Sequence, residues 1–250
     1  MRARRRVVVV TGGTGGIGRA IALLFAERND AVAVCSRSAG NGSLPRGIVH
    51  EQVDVRHREA VRRFLQMVRR RFGGLDIVVN CAGVSRWRPV RDLDEAIIEE
   101  VVDTAVLGTL WSCAAAATLF RRGGCIVNVS SLAGKRGSAN NSAYCAAKFA
   151  VNGITQALAK ELGPHGVRVN AVCPVYVRTR QVLKALSESA APPQGGRVDA
   201  YLRSFAKNQT ALGRLPSEQE VAEAVYFLAS PSASAITGQC LNVDCGTLPQ

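Results

Sequence analysis

Short apolar runs alternate with longer segments of helical period along the whole chain. The runs cover residues 7–10, 31–35, 48–53, 75–79, 125–129, 167–173 and 240–243. Between them, apolar positions recur with helical spacing over residues 17–28, 58–72, 95–120 and 142–162. Strands that are apolar on both faces and separated by helices are typical of a parallel sheet. The pattern therefore predicts an α/β fold, a doubly wound seven-stranded parallel sheet with helices on both faces.

One stretch interrupts this alternation. Residues 184–208 contain Pro192-Pro193 and Gly195-Gly196 and follow the sixth predicted strand. We interpret this stretch as a mobile insertion, which would form a substrate lid over about residues 180–208. Since no linker, composition break or internal repeat divides the chain, we expect a single domain over residues 1–250.

Composition excludes several classes of protein. The 250 residues are 47% hydrophobic and 20% charged, as in ordinary globular proteins. No apolar run approaches the roughly 18 residues that a membrane span requires. The eight cysteines show neither a CxxC pair nor the Cys/His spacing of a zinc site, so we expect no metal. Cysteines within apolar runs, and a basic start without a signal-peptide core, favour a reducing, cytoplasmic location.

The chain is strongly basic, with 32 Lys and Arg against 19 Asp and Glu and a net charge of +13. Such a balance raises the hypothesis of a nucleic-acid binder, which would associate with any duplex in a salt-dependent way. The basic residues are nevertheless scattered in short groups without aromatic interleaving. Solvated helix faces explain them better, so nucleic acid is the less favoured partner. A basic surface still favours an anionic ligand such as a nucleotide phosphate.

A glycine-rich turn follows the first strand and opens the first helix. In residues 11–18, glycines permit a tight turn and a close approach of a pyrophosphate to the helix N-terminus. The candidate contacts are Gly12, Thr14, Gly16, Ile17 and Gly18. This position predicts a dinucleotide site.

The end of the second strand indicates which dinucleotide binds. An acidic residue here would accept hydrogen bonds from the ribose of NAD, but the chain has Ser36 and Arg37. Both offer donors to a 2′-phosphate, which favours NADP(H) over NAD(H). The alternative is that Arg37 is one more surface arginine.

Three further motifs, taken with this turn, resemble the short-chain dehydrogenase/reductase family. They are Asn80-Cys81-Ala82-Gly83, Ser131 placed thirteen residues before Tyr144, and Tyr144 followed four residues later by Lys148. The length and motif order are similar to the short, single-domain oxidoreductase branch, which includes reductases like the 3-oxoacyl-carrier-protein reductases and related ketone reductases. The resemblance spans residues 7–246 and implies a Rossmann fold and an NADP-dependent oxidoreductase acting on a ketone or secondary alcohol.

The resemblance also implies roles for individual residues. Asp54 matches the residue that meets the adenine amine, and Thr179 matches the one that bonds the nicotinamide carboxamide. The other matched cofactor contacts are Val55, Asn80, Ala82, Gly83, Tyr144, Lys148, Pro174 and Val177.

The chemistry of ketone reduction explains the three catalytic candidates. Hydride transfer builds negative charge on the carbonyl oxygen, so a proton donor must lie within hydrogen-bond reach, and Tyr144 is that candidate. A cation one helical turn away, Lys148, is expected to lower the pKa of the phenol, and the resemblance implies that it also binds the nicotinamide ribose. Ser131 would hold the substrate oxygen. Ser130 is its competitor, and the thirteen-residue offset favours Ser131.

Three positions depart from the family pattern. Ala105 stands where Asn is usual, and that Asn fixes a helix distortion which holds a water connecting the lysine to solvent. Val175 and Cys245 stand where Gly is usual. An alternative function is therefore a nucleotide-binding scaffold or regulator whose catalysis is weakened by Ala105 and Val175. If the chain is active, we expect that the proton relay is rewired or slowed, or that the backbone carbonyl of this segment serves without the side chain.

Substrate and assembly are indicated only in outline. The candidate pocket residues Trp87, Asn141, Val175 and Tyr176 are mixed in polarity. They suit a polar ketone, such as a sugar-like, cyclitol or carrier-bound acyl substrate. Residues 95–120 and 142–162 carry Ala and Leu on more than one face, so we expect a homotetramer or homodimer.

Overall fold

The computed structural model of the protein describes residues 5–38, 44–121 and 123–249. Within these ranges, seven strands form one parallel sheet in the order β3-β2-β1-β4-β5-β6-β7. The strands are β1 Val7–Thr11, β2 Ala31–Ser36, β3 Val49–Gln52, β4 Ile77–Asn80, β5 Gly124–Val129, β6 Val167–Pro174 and β7 Cys240–Val243. The predicted doubly wound α/β fold is confirmed.

Helices cover both faces of the sheet. They are α1 Gly16–Glu27, α2 Arg58–Phe72, α3 Glu95–Val102, α4 Gly108–Ala117, α5 Ser142–Leu162, α6 Arg180–Leu186, α7 Val198–Gln209 and α8 Glu218–Leu228. The single helix predicted over 95–120 is interrupted by a π-helical turn at Asp103–Leu107 and ends at residue 117. The stretch interpreted as an insertion, residues 184–208, contains the end of α6 and most of α7, so much of it is helical.

No helix in the described part of the chain is long and apolar enough to cross a membrane.

The first strand shows why the apolar runs are continuous. Val8 and Val10 pack into a cluster with residues of α1 and α8 on one face of the sheet. Val7 and Val9 pack with residues of α2 on the other face. Successive side chains of a strand point to opposite faces, so a strand covered on both sides is apolar at every position.

The strand order places a crevice beside the end of β1. β1 pairs with β2 on one side and with β4 on the other, so the chain reverses its direction of winding at β1. In open α/β sheets, ligands bind outside the carboxyl ends of the strands at this point. Thr11 at the end of β1 fixes the neighbouring edge, because its Oγ1 accepts hydrogen bonds from the backbone N–H groups of Cys81 and Ala82 at 3.1 and 3.2 Å.

Cys245 has a left-handed backbone, with φ of 53°, which explains why glycine is usual at this position. A side chain in this region costs about 1–2 kcal/mol. We therefore expect Cys245→Gly to raise the free energy of unfolding by about 1 kcal/mol. Glycine removes the cost of the left-handed backbone, but part of the gain is offset because glycine loses more conformational entropy when the chain folds. Denaturant unfolding measures the change. Cys245→Ser removes the thiol but keeps the strain, so equal stability of the two variants would contradict the prediction.

Candidate active site

Ser131 and Tyr144 meet at the carboxyl edge of the sheet. Ser131 follows β5 and begins a short 3₁₀ turn, where its Oγ accepts a hydrogen bond from the Ala133 N–H at 3.1 Å. Its hydroxyl also donates to the Pro174 carbonyl at 3.5 Å and lies near the phenol of Tyr144 on α5, close enough to act on the pKa of that phenol. Ser130 is buried instead, and its hydroxyl donates to the backbone carbonyl of Lys148 at 3.3 Å. Of the two serines, Ser131 is therefore the one in contact with Tyr144.

The pKa of Tyr144 shifts in the direction opposite to the one expected. Burial raises it to about 12, although the nearby Ser131 acts to lower it. Removing a phenol from water disfavours its charged form, and here this effect exceeds any stabilisation of the phenolate. The tyrosine consequently keeps its proton at neutral pH, as a proton donor must.

Lys148 lies beside this phenol with its ammonium group turned into the protein. The side chain is only 5% exposed, and its Nζ donates to the Val129 carbonyl at 2.8 Å. The Nζ lies 5.6 Å from the centre of the Tyr144 ring, and a Cβ added at Gly83 would approach it to 3.5 Å. Burial lowers the pKa of Lys148. An ammonium has three N–H donors, and Val129 accepts one of them.

The glycine-rich turn has the shape of a phosphate cradle. A Cβ at Gly18 would come within 2.4 Å of the Gly12 carbonyl oxygen, and a Cβ at Gly12 would meet the backbone of Ala82 at 3.0 Å. Gly12 and Gly16 also have positive φ angles. Within the described residues, no side chain caps α1 and no acidic residue lies in its first turn. The N–H groups and dipole of its first turn are therefore available to an anion, and these residues fit a dinucleotide pyrophosphate.

Thr14 is buried in this turn, whereas Ile17 is half-buried and packs against the core cluster on the α1 side of the sheet. One residue that motif reasoning missed also lies here. A Cβ at Gly15 would meet the Gln181 side chain at 3.2 Å, so the start of α6 covers the turn. No local sequence pattern indicates Gln181, because the contact joins segments far apart in the chain.

Ser36 and Arg37 follow β2 at the same edge. The Ser36 hydroxyl lies 2.9 Å from His50 Nε2 and also donates to the Ser38 carbonyl. The Arg37 side chain is 52% exposed, and its Nη1 lies 3.7 Å from Glu100 Oε1. Exposed pairs of this kind are weak, so the guanidinium is available to an anionic ligand.

Asp54 follows β3 and is held by a near neighbour. Its carboxylate accepts hydrogen bonds from the Arg56 side chain at 2.6 to 3.1 Å. The Arg56 guanidinium holds the pKa of Asp54 below its usual range. Since Arg56 lies only two residues after Asp54, this ion pair could have been predicted from the sequence.

The remaining predicted cofactor residues differ in their surroundings. Val55 is buried and lies against Gly108, where a Cβ would approach its Cγ2 to 2.7 Å. Asn80 donates to Asn128 Oδ1 at 2.9 Å and so supports the sheet edge. Val177 is buried in the core. The Thr179 hydroxyl accepts from the Val182 N–H at 3.1 Å and caps α6.

The π-helical turn forms with Ala105 in place of the usual asparagine. Ala105 lies within Asp103–Leu107, is 1% exposed, and packs with Val101 and Ala147. The backbone N–H of Gly108 donates to the Asp103 carbonyl, which is the five-residue spacing of a π helix. The helix distortion therefore does not depend on an asparagine side chain.

Two of the predicted pocket residues are buried. Trp87 is 4% exposed and packs against Leu186 of α6 and Leu202 of α7. Asn141 is also buried, and its Oδ1 has no hydrogen-bond partner within the described residues. Tyr176 is half-buried, and its hydroxyl lies 3.3 Å from that of Tyr201 on α7. Val175, half-buried, precedes it.

The sheet, the glycine-rich turn and the Ser131–Tyr144–Lys148 cluster define a class, the dinucleotide-binding oxidoreductases of the doubly wound fold. Comparisons with known proteins agree. A family model described as enoyl-(acyl carrier protein) reductase matches residues 12–247. The chain belongs to the short-chain dehydrogenase/reductase family. Members of this family use nicotinamide cofactors.

Individual relatives span nearly the full length of the chain. The chain is 32% identical to the 3-oxoacyl-[acyl-carrier-protein] reductase FabG of Vibrio cholerae, over 98% of each protein. It is 35% identical to cis-4-hydroxycyclohexanecarboxylate dehydrogenase of Sinomonas cyclohexanicum, over 96% of each. The solved structure of aldohexose dehydrogenase from Thermoplasma acidophilum is similar with a TM-score of 0.88 and 31% identity, covering 99% of this chain and 98% of that one.

Proposed function

We propose that the protein is an NADP(H)-dependent reductase of a polar ketone, working reversibly on the corresponding secondary alcohol. The observation that carries the proposal is the contact of Ser131 with Tyr144, with Lys148 beside the phenol ring, at the sheet edge that also bears the glycine-rich turn. When bound, the nicotinamide supplies or accepts the hydride.

Each of the three side chains has one task in this reaction. The Ser131 hydroxyl binds the substrate oxygen and orients it toward the phenol. Tyr144 donates its proton to that oxygen as negative charge develops, and its raised pKa keeps the proton in place until then. Lys148 binds the ribose hydroxyls through the N–H donors that Val129 leaves free, and its positive charge stabilises the phenolate that remains after the proton transfer.

The other cofactor residues have supporting tasks in the proposal. The glycine-rich turn would hold the pyrophosphate, and Asp54 would accept from the adenine amine. Thr179 would lie against the carboxamide, with Pro174, Val177, Val55, Asn80, Ala82 and Gly83 shaping the path between them.

The half-exposed guanidinium of Arg37 supports NADP(H) over NAD(H). We expect Arg37→Asp to weaken 2′,5′-ADP binding about 10- to 100-fold, since a charge-assisted bond to phosphate is replaced by repulsion. The ratio of kcat/KM with NADPH to kcat/KM with NADH should fall. Titration calorimetry with 2′,5′-ADP and 5′-ADP measures the first effect. Arg63→Asp on exposed α2 controls for net charge. A 2′,5′-ADP affinity unchanged in Arg37→Asp would refute the preference.

The proposed substrate class is supported by the polar groups of the candidate pocket residues Asn141 and Tyr176 and by the relatives. The three relatives described above act, by name, on a carrier-bound acyl group, a cyclic hydroxy acid and an aldohexose. These correspond to the carrier-bound, cyclitol-like and sugar-like ketones that the pocket residues suit. The test is consumption of NADPH and NADH, followed by absorbance, across acyl-thioester, cyclohexanone-type and sugar-derived ketones. Turnover of none of these classes would count against the proposal.

Retention of the π-helical turn supports an active enzyme over a scaffold. We expect Ala105→Asn to leave kcat within about threefold and to lower stability by about 1–3 kcal/mol, because the position is packed and apolar. Steady-state kinetics and denaturant unfolding measure the two effects. A large rise in kcat would instead favour the scaffold, whose catalysis the asparagine would restore.

We further propose a cytoplasmic homotetramer or homodimer. An apolar side chain on α5 supports assembly, since Phe149 is 49% exposed on the helix predicted to pack between subunits. Light scattering after size exclusion would measure the mass of the assembly.

A further inference from the structure

The segment that joins α6 to α7, residues 187–197, is held down by a carboxylate. Glu188 Oε2 accepts hydrogen bonds from the Trp87 backbone N–H at 2.7 Å and from Arg88 Nη1 at 3.1 Å. Its other oxygen lies 3.9 Å from Arg86 Nη1. The side chain is 19% exposed, so this charge is largely removed from water.

The same segment makes a second polar contact, with the residues that precede α5. Asn140 Nδ2 donates to the Ala190 carbonyl at 3.1 Å, and the Arg88 backbone N–H donates to the Asn140 carbonyl at 2.7 Å. Three segments are thus joined, namely residues 85–88 after β4, residues 138–141 before α5, and residues 187–197 of the lid.

We propose that Glu188 is a positioning residue, which keeps the lid closed over the reaction site by binding Arg86, Arg88 and the Trp87 backbone. Charge-assisted hydrogen bonds that are partly shielded from water are stronger than exposed pairs. If a neutral group replaced the Glu188 carboxylate, the guanidinium groups of Arg86 and Arg88 and the backbone N–H of Trp87 would lose the negative charge that they bind. The lid would then separate from residues 85–88.

Glu100 limits the strength of this contact. Arg86 Nη2 lies 2.9 Å from Glu100 Oε2, so the guanidinium of Arg86 is shared by two carboxylates. The shorter distance is to Glu100, which belongs to α3 and not to the lid. Arg86 is therefore bound more weakly to Glu188 than to Glu100. A weak contact suits a lid that must open to admit substrate.

Glu188 acts through the pocket walls and touches none of the reacting groups. Asn140 lies two residues before α5, the helix that carries Tyr144, and residues 85–88 follow the strand that leads to Gly83. Loosening the lid therefore changes how tightly substrate is held, while Ser131 and Tyr144 stay in contact. The kinetic part of this inference rests on the proposed reductase function, whereas its fluorescence part does not.

A tryptophan already present reports lid closure. Trp87 packs against Ala185, Leu186, Ala191 and Leu202 beneath the lid, and Trp111 is the other of the two tryptophans. In a Trp111→Phe background without nucleotide, we expect Glu188→Gln to raise the acrylamide quenching constant of Trp87 at least about twofold, because the loss of this charge raises the open population.

Salt and a matched variant sharpen the fluorescence test. High salt, about 0.5 to 1 M, should raise Trp87 quenching in the parent and leave Glu188→Gln unchanged, since it screens an ion pair only where one exists. Glu59→Gln removes an exposed pair with Arg62 and controls for net charge. Equal quenching of Trp87 in the parent and Glu188→Gln would overturn the proposal.

The kinetic test uses a ketone that the parent reduces. We expect Glu188→Gln to raise KM about tenfold and leave kcat within about twofold, and Glu188→Asp to recover part of the loss. A fall in kcat with unchanged KM would show that Glu188 does not act through substrate binding, and would overturn a positioning role in the lid. If the parent reduces no ketone, the proposed function fails, and Trp87 quenching alone then decides whether Glu188 closes the lid.

Discussion

Tyr144→Phe is expected to lower kcat for ketone reduction about 10²- to 10⁴-fold, the range that a positioned proton donor contributes. Phenylalanine keeps the ring and its packing but removes the hydroxyl, which is the proton donor near Ser131. Nucleotide affinity should change little, because the variant retains the glycine-rich turn and Lys148. Single-turnover rates with NADPH, together with the dissociation constant of NADPH, separate the two effects.

The pH profile of the parent checks the same assignment. Since burial raises the pKa of Tyr144 to about 12, the phenol stays protonated across the neutral range. The rate of reduction should therefore be flat from about pH 6 to 9, with no loss of the protonated donor. A fall in kcat/KM centred near pH 7 would contradict Tyr144 as the donor in this state. So would a Tyr144→Phe variant that keeps most of the activity.

The strands could be predicted because their signal is local. Val7, Val8, Val9 and Val10 are buried on alternating faces, and a run of apolar residues records burial on both sides. The glycine-rich turn is equally local, since its steric requirement applies to the residues that form it. The position of such a turn after the first strand then indicates which end of the sheet binds the ligand.

The state of Tyr144 could not be predicted in the same way. The spacing of Tyr144 and Lys148 on one helix suggested that the cation would lower the pKa of the phenol. The structure shows instead that burial controls the pKa, and burial depends on elements from all over the chain. The spacing of two side chains gives their distance along a helix, but it does not show how far the folded chain removes them from water.

The burial of Trp87 was missed for a related reason. Its partners Ala185, Leu186 and Leu202 lie about a hundred residues further along the chain, in a stretch whose prolines and glycines indicated an irregular insertion. The helices α6 and α7 form there because they pack on Trp87 and Tyr176. Tertiary contacts of this kind override local signals, and the Glu188 contact belongs to the same set.

Gly18→Ala is expected to weaken NADPH binding at least about 100-fold, because backbone hydrogen bonds to the pyrophosphate require the undistorted turn. The new Cβ would lie 2.4 Å from the Gly12 carbonyl oxygen, a backbone atom that cannot move without opening the turn. Gly163→Ala is the matched control, since a Cβ at Gly163 meets nothing within 4 Å. Fluorescence titration with NADPH measures affinity, and circular dichroism separates lost binding from lost folding. If Gly18→Ala binds NADPH as tightly as Gly163→Ala does, the nucleotide does not depend on this turn, and the assignment of residues 11–18 as its phosphate cradle is wrong.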